Sequence, residues 1–437
     1  MAPTADRPRT PDQEPDRRHE PTPPQGPGPD GPTAPARHPA APLPGPAGPL
    51  PDQADVVIVG GGVIGAAIAF HLAEAGAGYV LLLERDHPAA GSSGKPLGGV
   101  RAQFSDPLNI RLGQRSLDAW RDFARRPGAD IGLEHTGYLF LLGDAAERDL
   151  FAEGIALQNS LGVPSRLITP REAHALCPYA DPDTLVAAAY SPADGYARPE
   201  AAVTGYLRAA RRLGARVRTH CPVTAVDPAA APGLQAVHTP HGTVRTPVLI
   251  CCAGAWSAAV GEMAGAHLPV TPLRRQIALT GPLDPAPPRI PFTLDFGSTL
   301  YFHNDAAGGL LLGLSDPAQP PGFDRTFTRE WLTPFRAAAA RRAPALASLP
   351  VRDGWAGLYE MTPDRNALIG EAERAPGHQG RFLYATGFSG HGFLQAPAVG
   401  EIVRDLYLRR TPFLDATPLS AARFDGAAPV RPEAHII

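Results

Sequence analysis

The sequence predicts an α/β fold: a parallel strand–helix–strand unit beginning at residue 55, joined to a mixed, mostly antiparallel α+β portion. Three observations predict it. Asp55–Val59 (DVVIV) is a β-branched run of the kind buried in a parallel sheet, and a glycine cluster and an apolar helical stretch follow it. Tyr79–Leu83 (YVLLL) repeats the strand signal and closes on Glu84. Further on, RRQIALTGPL, TLYFHN and GGLLLGL alternate as strands of an antiparallel sheet do, and HTGYLFLLG (His135–Gly143) reads as another strand with a turn.

Each part of the first unit has a physical task. The run Gly60-Gly61-Gly62-Val63-Ile64-Gly65 satisfies GxGxxG. Gly60 permits the tight turn, Gly62 lets backbone approach a pyrophosphate, and Gly65 lets the helix pack closely on the strand. The amides of Val63 and Ile64 open the helix, whose N-terminus favours phosphate charge. The helix AAIAFHLAEAG ends at Gly76, a residue suited to a C-cap. Glu84 lies 24 residues after Gly60, where a carboxylate accepts from ribose hydroxyls. Together these identify a Rossmann-type dinucleotide site, with FAD and NAD both open. The same glycines break the apolar stretch Val56–Leu72, so no membrane span is expected there.

Composition narrows the partners. With 43% apolar residues, 19% charged residues and a net charge of −3, the chain has a substantial core and no basic block, which argues against nucleic acid. Cys177, Cys221, Cys251 and Cys252 lack metal or disulfide spacing, and the last two sit in an apolar run that reads as a buried strand. Residues 1–51 hold 17 of the 52 prolines and are read as a solvated, disordered tail. It carries no apolar signal region, and a cytoplasmic protein is expected.

Four further segments carry a resemblance. They are Glu84-Arg85 with Gly91-Ser92-Ser93-Gly94 and Gly98–Leu112 (GGVRAQFSDPLNIRL), then Val248–Ser257 (VLICCAGAWS), Gly357–Gly370 (GLYEMTPDRNALIG) and Ala385–Glu401 (ATGFSGHGFLQAPAVGE). In this order and spacing the chain resembles the D-amino-acid-oxidase-like superfamily of flavoproteins, in the branch of sarcosine oxidases and proline dehydrogenase β-subunits. The resemblance runs from about residue 54 to residue 415. It implies FAD, held non-covalently because the covalent-flavin cysteine aligns near Gly357. Arg85, Ser92, Ser93, Val223, Gly254, Trp256, Gly387, Gly390, Gly392 and Phe393 join the GxGxxG residues and Glu84 as implied cofactor contacts. Small residues in CAGAW suit backbone passing close to a cofactor, though a tightly packed strand end reads the same way. GFSGHGF precedes an apolar helix whose N-terminal dipole suits a reduced flavin.

The resemblance also implies oxidation of a C–N bond next to a carboxylate, with hydride passing to flavin N5. Arg101 matches the position that holds the substrate carboxylate, and a guanidinium suits that task because its planar fork engages both oxygens; an ordinary solvated arginine is the alternative. Phe104 and Tyr301 match pocket aromatics, with a core tyrosine as the alternative for Tyr301. His391 is expected against the flavin or the carboxylate, or as a structural histidine of a Gly-rich turn. Two lysines of monomeric sarcosine oxidases are replaced, by Leu394 and near Leu311, which favours a dehydrogenase with another electron acceptor over use of O2. Pro199 stands where heterotetrameric relatives tether a second flavin. The substrate is expected to be a small amino acid or amine such as sarcosine, proline, glycine or a D-amino acid. A 2-hydroxy-acid oxidoreductase and a non-catalytic flavin-binding accessory protein are the other readings. The expected organisation is a tail (1–52), a discontinuous FAD-binding domain (53–130, 195–265, 350–415), a substrate domain (131–194, 266–349) and a C-terminal extension (416–437).

Overall fold

The computed structural model describes residues 48–373, 375–426 and 432–436; most of the proline-rich tail lies outside them. The β-branched run forms β1 (Val56–Val59), and α1 (Val63–Glu74) and β2 (Val80–Leu83) follow it. Past α1, Gly76 takes φ +71°, the left-handed ending that a missing Cβ permits. The chain continues through β3 (Gly99–Val100), α2 (Pro107–Arg121), β4 (Tyr138–Leu142), α3 (Ala145–Ser160) and β5 (Arg166–Ile168). Next come α4 (Pro170–Leu176), β6 (Ala187–Ser191), β7 (Gly195–Tyr196), α5 (Pro199–Arg212) and β8 (Arg216–Arg218). A small antiparallel sheet of β9 (Ala225–Ala231), β10 (Leu234–Thr239) and β11 (Gly242–Thr246) precedes β12 (Val248–Cys251) and α6 (Ser257–Met263). Four strands follow: β13 (Thr271–Leu279), β14 (Phe292–Asp295), β15 (Leu300–Asn304) and β16 (Leu310–Leu314). The remaining elements are α7 (Leu332–Arg342), α8 (Pro344–Ala347), β17 (Asp353–Met361), β18 (Leu368–Glu371), β19 (Arg381–Thr386) and α9 (Gly392–Tyr407).

Two sheets organise the fold. The first has the order β18-β19-β12-β1-β2-β8 and is parallel except for the outer β18–β19 pair. Its strands come from three separated stretches of chain: β1 and β2, then β8 and β12, then β18 and β19. β1 is central, and Val56, Val57 and Ile58 are wholly buried, which explains its unbroken apolar sequence. Helix α1 packs under it against α5 and α9. Residues just before β1 are also placed: Gln53 bridges to Arg245, and the Asp52 carbonyl accepts from the Arg245 amide.

The second sheet has the order β17-β13-β16-β15-β14-β4-β6-β5. It is antiparallel as expected except where β4 meets β14 in parallel, since these two strands belong to stretches far apart in sequence. Register sets its functional face. Arg275 lies opposite Gly357, Ile277 opposite Gly313, Gly313 opposite Tyr301, and Phe292 opposite Tyr138. Alternation then turns these side chains to one side, toward the first sheet. Gly313 is required there, because a Cβ would stand 2.1 Å from the Tyr301 ring.

Candidate active site

A cavity of about 400 Å³ runs from the loop after β1 to that face of the second sheet. Gly60, Gly62, Val63, Ile64, Glu84, Arg85, Ser92, Ser93, Val223, Gly254, Trp256, Gly390, Gly392 and Phe393 all border it. At the end beside β1, Gly60 has φ +114°, and a Cβ there would meet the Cys252 carbonyl at 2.2 Å. Gly65 does not border the cavity; a Cβ on it would stand 2.0 Å from the Gly60 carbonyl oxygen, so its task is the close approach of α1 to the turn. Ser93 Oγ accepts from the Val63 amide at 2.8 Å, joining the serine loop to the start of α1. Glu84 Oε2 accepts from the Gly61 amide at 2.6 Å and Oε1 from the Asp86 amide at 2.8 Å, which fixes the carboxyl at the end of β2. Burial raises its pKa against those two hydrogen bonds. Arg85 lays its guanidinium 4.2 Å from the centre of the Trp256 ring, a cation–π contact that closes this end.

The opposite end is lined by Arg101, Tyr138, Tyr301, Tyr359, Phe292 and His391. Arg101 is not a solvated arginine: it is 6% exposed and rests 4.2 Å over the Phe104 ring. Its Nη1 donates to the Gln103 carbonyl, and its Nη2 donates to the His435 carbonyl at 2.8 Å. His391 precedes α9 with both ring nitrogens buried and without a partner among the described residues. Burial, then the neighbouring Arg101 charge, lowers its pKa to about 3, so the ring is neutral. Tyr301 is buried, and its hydroxyl stays protonated because burial raises its pKa. Gly387 does not border the cavity; with φ +68° it makes the turn after β19 against Thr362.

The start of α9 is held from behind. Trp120 stacks on Phe393 at 5.0 Å and donates through Nε1 to the Leu394 carbonyl at 3.3 Å. Gln395 donates to Asn109 at 3.0 Å, and Arg115 grips Glu401 with two hydrogen bonds of 2.8 Å. Of the two positions where the resemblance expected a lysine, Leu394 borders the cavity, and Leu311, near the second, is buried in β16 and is not among the lining residues.

Several lining residues escaped the sequence reading. Lys95, the chain's single lysine, packs its Cβ and Cγ where a Cβ on Gly357 would stand, at 2.5 and 2.8 Å. That scarcity was itself a readable signal. Arg275 lies 5.2 Å over the Tyr359 ring, and its Nε has no partner among the described residues. Glu360 borders the cavity with an unpartnered Oε2, and burial raises its pKa to about 7. His435 and Ile436 also line the cavity, far from every motif in sequence.

The cavity fits FAD on these observations. The glycine cradle, the α1 amides and the fixed Glu84 carboxyl suit a nucleotide, and Ser92 Oγ and Glu360 Oε2 are buried polar atoms that a bound group with its own donors and acceptors would satisfy. Among the described residues no group of His, Cys, Asp and Glu could hold a metal ion, the four cysteines are free and buried, and no helix is long and apolar enough to cross a membrane.

Comparison with known proteins agrees. Dimethylglycine dehydrogenase from Mus musculus is 27% identical over 395 residues, which cover 85% of this chain and 44% of that protein. Sarcosine dehydrogenase from Homo sapiens is 27% identical over 386 residues, covering 85% of this chain and 41% of that protein. The chain therefore spans less than half the length of these relatives. Among solved structures, L-proline dehydrogenase from P. horikoshii superposes with a TM-score of 0.79 at 32% identity, covering 86% of this chain and 99% of that one. Glycine oxidase from Geobacillus kaustophilus gives 0.75 at 26% identity, covering 85% and 99%. Residues 55–406 match the family profile described as FAD dependent oxidoreductase (DAO). The chain thus belongs to the DAO family of FAD-dependent oxidoreductases.

Proposed function

We propose that this protein oxidises the C–N bond of a small amino acid or amine, with FAD held non-covalently. The observation that carries this reading is the placement of a buried arginine, neutral His391 and three tyrosines at one end of a cavity whose other end is built for a dinucleotide. Bound FAD supplies the hydride acceptor. Arg101 supplies the anion site: two of its five N–H donors are taken by main-chain carbonyls, which hold the fork still while its charge faces the cavity. Because His391 is uncharged, the positive charge at that end comes from Arg101 beside it and from Arg275 over the Tyr359 ring, and a substrate carboxylate is drawn to Arg101. Tyr138, Tyr301 and Phe292 wall off water with apolar ring faces, and the Tyr138 and Phe292 rings stack 4.5 Å apart. Relatives named as sarcosine, dimethylglycine and L-proline dehydrogenases support the substrate class.

The favoured electron fate is transfer to an acceptor other than O2, since Leu394 brings no charge to the cavity and Leu311 lies outside it. The test is an anaerobic absorbance titration of the FAD-loaded protein with a panel of amino acids. Bleaching of the flavin band by sarcosine, proline, glycine or a D-amino acid supports the reading, and slow return of colour in air supports a dehydrogenase. Bleaching only by 2-hydroxy acids, or by neither class, refutes it.

A further inference from the structure

Residues 433–436 lie more than 300 positions from Arg101, yet they are built into the cavity. Glu433 is 1% exposed, and its carboxylate collects five donors. Ser105 gives its amide at 2.7 Å and its hydroxyl at 2.6 Å; the Asp106 amide, Asn109 Nδ2 and the His435 amide add bonds of 3.2, 3.1 and 3.0 Å. Ser105 Oγ in turn accepts from the Ala434 amide at 2.9 Å, and the Glu433 amide donates to the Asp364 carbonyl at 3.2 Å. Beyond this anchor, the His435 ring stacks on Phe151 at 4.1 Å with 6° between planes. Gly154, one turn along α3, leaves the room: a Cβ there would stand 2.5 Å from His435 Cε1. Arg365 holds the Ile436 carbonyl at 2.9 Å. A buried carboxylate saturated with donors is a strong tether, since every lost partner leaves a desolvated charge.

We propose that residues 433–436 form a wall of the substrate site, in which Glu433 is the anchor, the His435 carbonyl positions Arg101, and the His435 and Ile436 side chains limit the size of substrate admitted. This rests on the amine-oxidising reading only for the identity of the substrate. The wall itself follows from the contacts. A small amino acid is retained because the space beside its α-carbon is filled by the chain's own residues, and a bulky one is turned away by the same filling.

The test compares three FAD-loaded variants with the intact chain: a chain ending at residue 426, Glu433→Ala, and Ile436→Trp. The last leaves the anchor in place and stays informative should the others fold poorly. Two readouts are taken. Iodide quenching of flavin fluorescence needs no substrate; its quenching constant is expected to rise at least about threefold in the first two variants and not to rise in Ile436→Trp. The ratio of flavin-reduction efficiency for N-methylphenylalanine over sarcosine is expected to rise at least about tenfold when the wall is removed and to fall in Ile436→Trp. An unchanged quenching constant in all variants overturns the wall, as does a size ratio that does not move. If no amino acid reduces the flavin of the intact chain while quenching still rises, the wall stands and the amine-oxidising reading alone fails.

Discussion

Replacing Gly65 by alanine tests how closely α1 must approach the glycine turn after β1. The added Cβ would lie 2.0 Å from the Gly60 carbonyl oxygen, and both atoms belong to backbone that cannot rotate away. A non-bonded carbon and oxygen need more than 3 Å, so the start of α1 must retreat by about 1 Å or the turn must open. Overpacking a well-filled site costs about 1–3 kcal/mol, and a backbone clash belongs at the upper end. Because the displaced groups are the amides that open α1 at the cavity, this cost is expected to fall largely on FAD binding, roughly a tenfold to hundredfold loss at 1.4 kcal/mol per decade. Two alanine variants grade the effect. At Gly62 the nearest atom is the Ser93 hydroxyl at 3.0 Å, which can turn; at Gly91 it is a Trp256 ring carbon at 3.6 Å, an ordinary contact. The assay is titration of apoprotein with FAD, followed by flavin fluorescence, alongside thermal unfolding. The expected order of damage is Gly65→Ala, then Gly62→Ala, then Gly91→Ala. A Gly65→Ala protein that binds FAD within about twofold of the parent refutes the packing argument, and so does a Gly91→Ala protein as weak as Gly65→Ala.

Asp194 is wholly buried with one oxygen unpartnered, and burial lifts its pKa from 3.8 to about 7. The folded chain therefore holds a proton that the unfolded chain releases, and stability falls as pH rises from 3.8 through 7, by roughly 4 kcal/mol as an upper bound. Asp194→Asn should raise the melting temperature at about pH 8 far more than at about pH 5, and an increment equal at both values contradicts the assignment. Arg101→Lys keeps the charge but loses the fork, so carboxylate affinity, read from perturbation of the flavin spectrum, should fall roughly tenfold to a hundredfold while FAD stays bound; unchanged affinity would remove Arg101 from the anion site. Gly313→Ala should push the Tyr301 ring into the cavity, raising KM at least about tenfold with little change in FAD affinity, since the clash at 2.1 Å is with a side chain remote from the nucleotide end. Equal loss of both affinities would mean that the sheet itself had given way.

What could be read in advance was whatever is local in sequence. Strand, glycine turn, helix and Glu84 lie within thirty residues, and their spacing alone prescribes how they meet. Arg101 and His391 were found through short motifs, and the cavity brings both to one end. Their states could not be read, because neutrality of His391 and immobility of Arg101 come from burial and from partners hundreds of residues away. Tyr138, Tyr359 and Arg275 enter by strand alternation in a sheet whose order, β17-β13-β16-β15-β14-β4, no periodicity reveals. His435 and Ile436 carry no local pattern at all; only the tertiary fold places them. Gly65 and Gly387 show the converse, glycines of the expected motifs whose work is packing and turning rather than lining the cavity.

The interleaved order of the first sheet has a consequence for synthesis. β1 is flanked by β2, which begins about 20 residues after it once α1 has been made, and by β12, whose own other neighbour is β19. β12 begins at Val248 and β19 at Arg381, so the ribosome must add about 190 residues after Val59 before one side of β1 can close and about 320 before the sheet is complete. At about 5–20 residues per second, this leaves a fully apolar strand edge uncovered for roughly ten seconds to a minute. An unpaired edge of that kind invites pairing with other nascent chains. The nucleotide site thus comes last in the life of each molecule, and its yield in a cell depends on holding the early strands apart from one another until the late ones arrive.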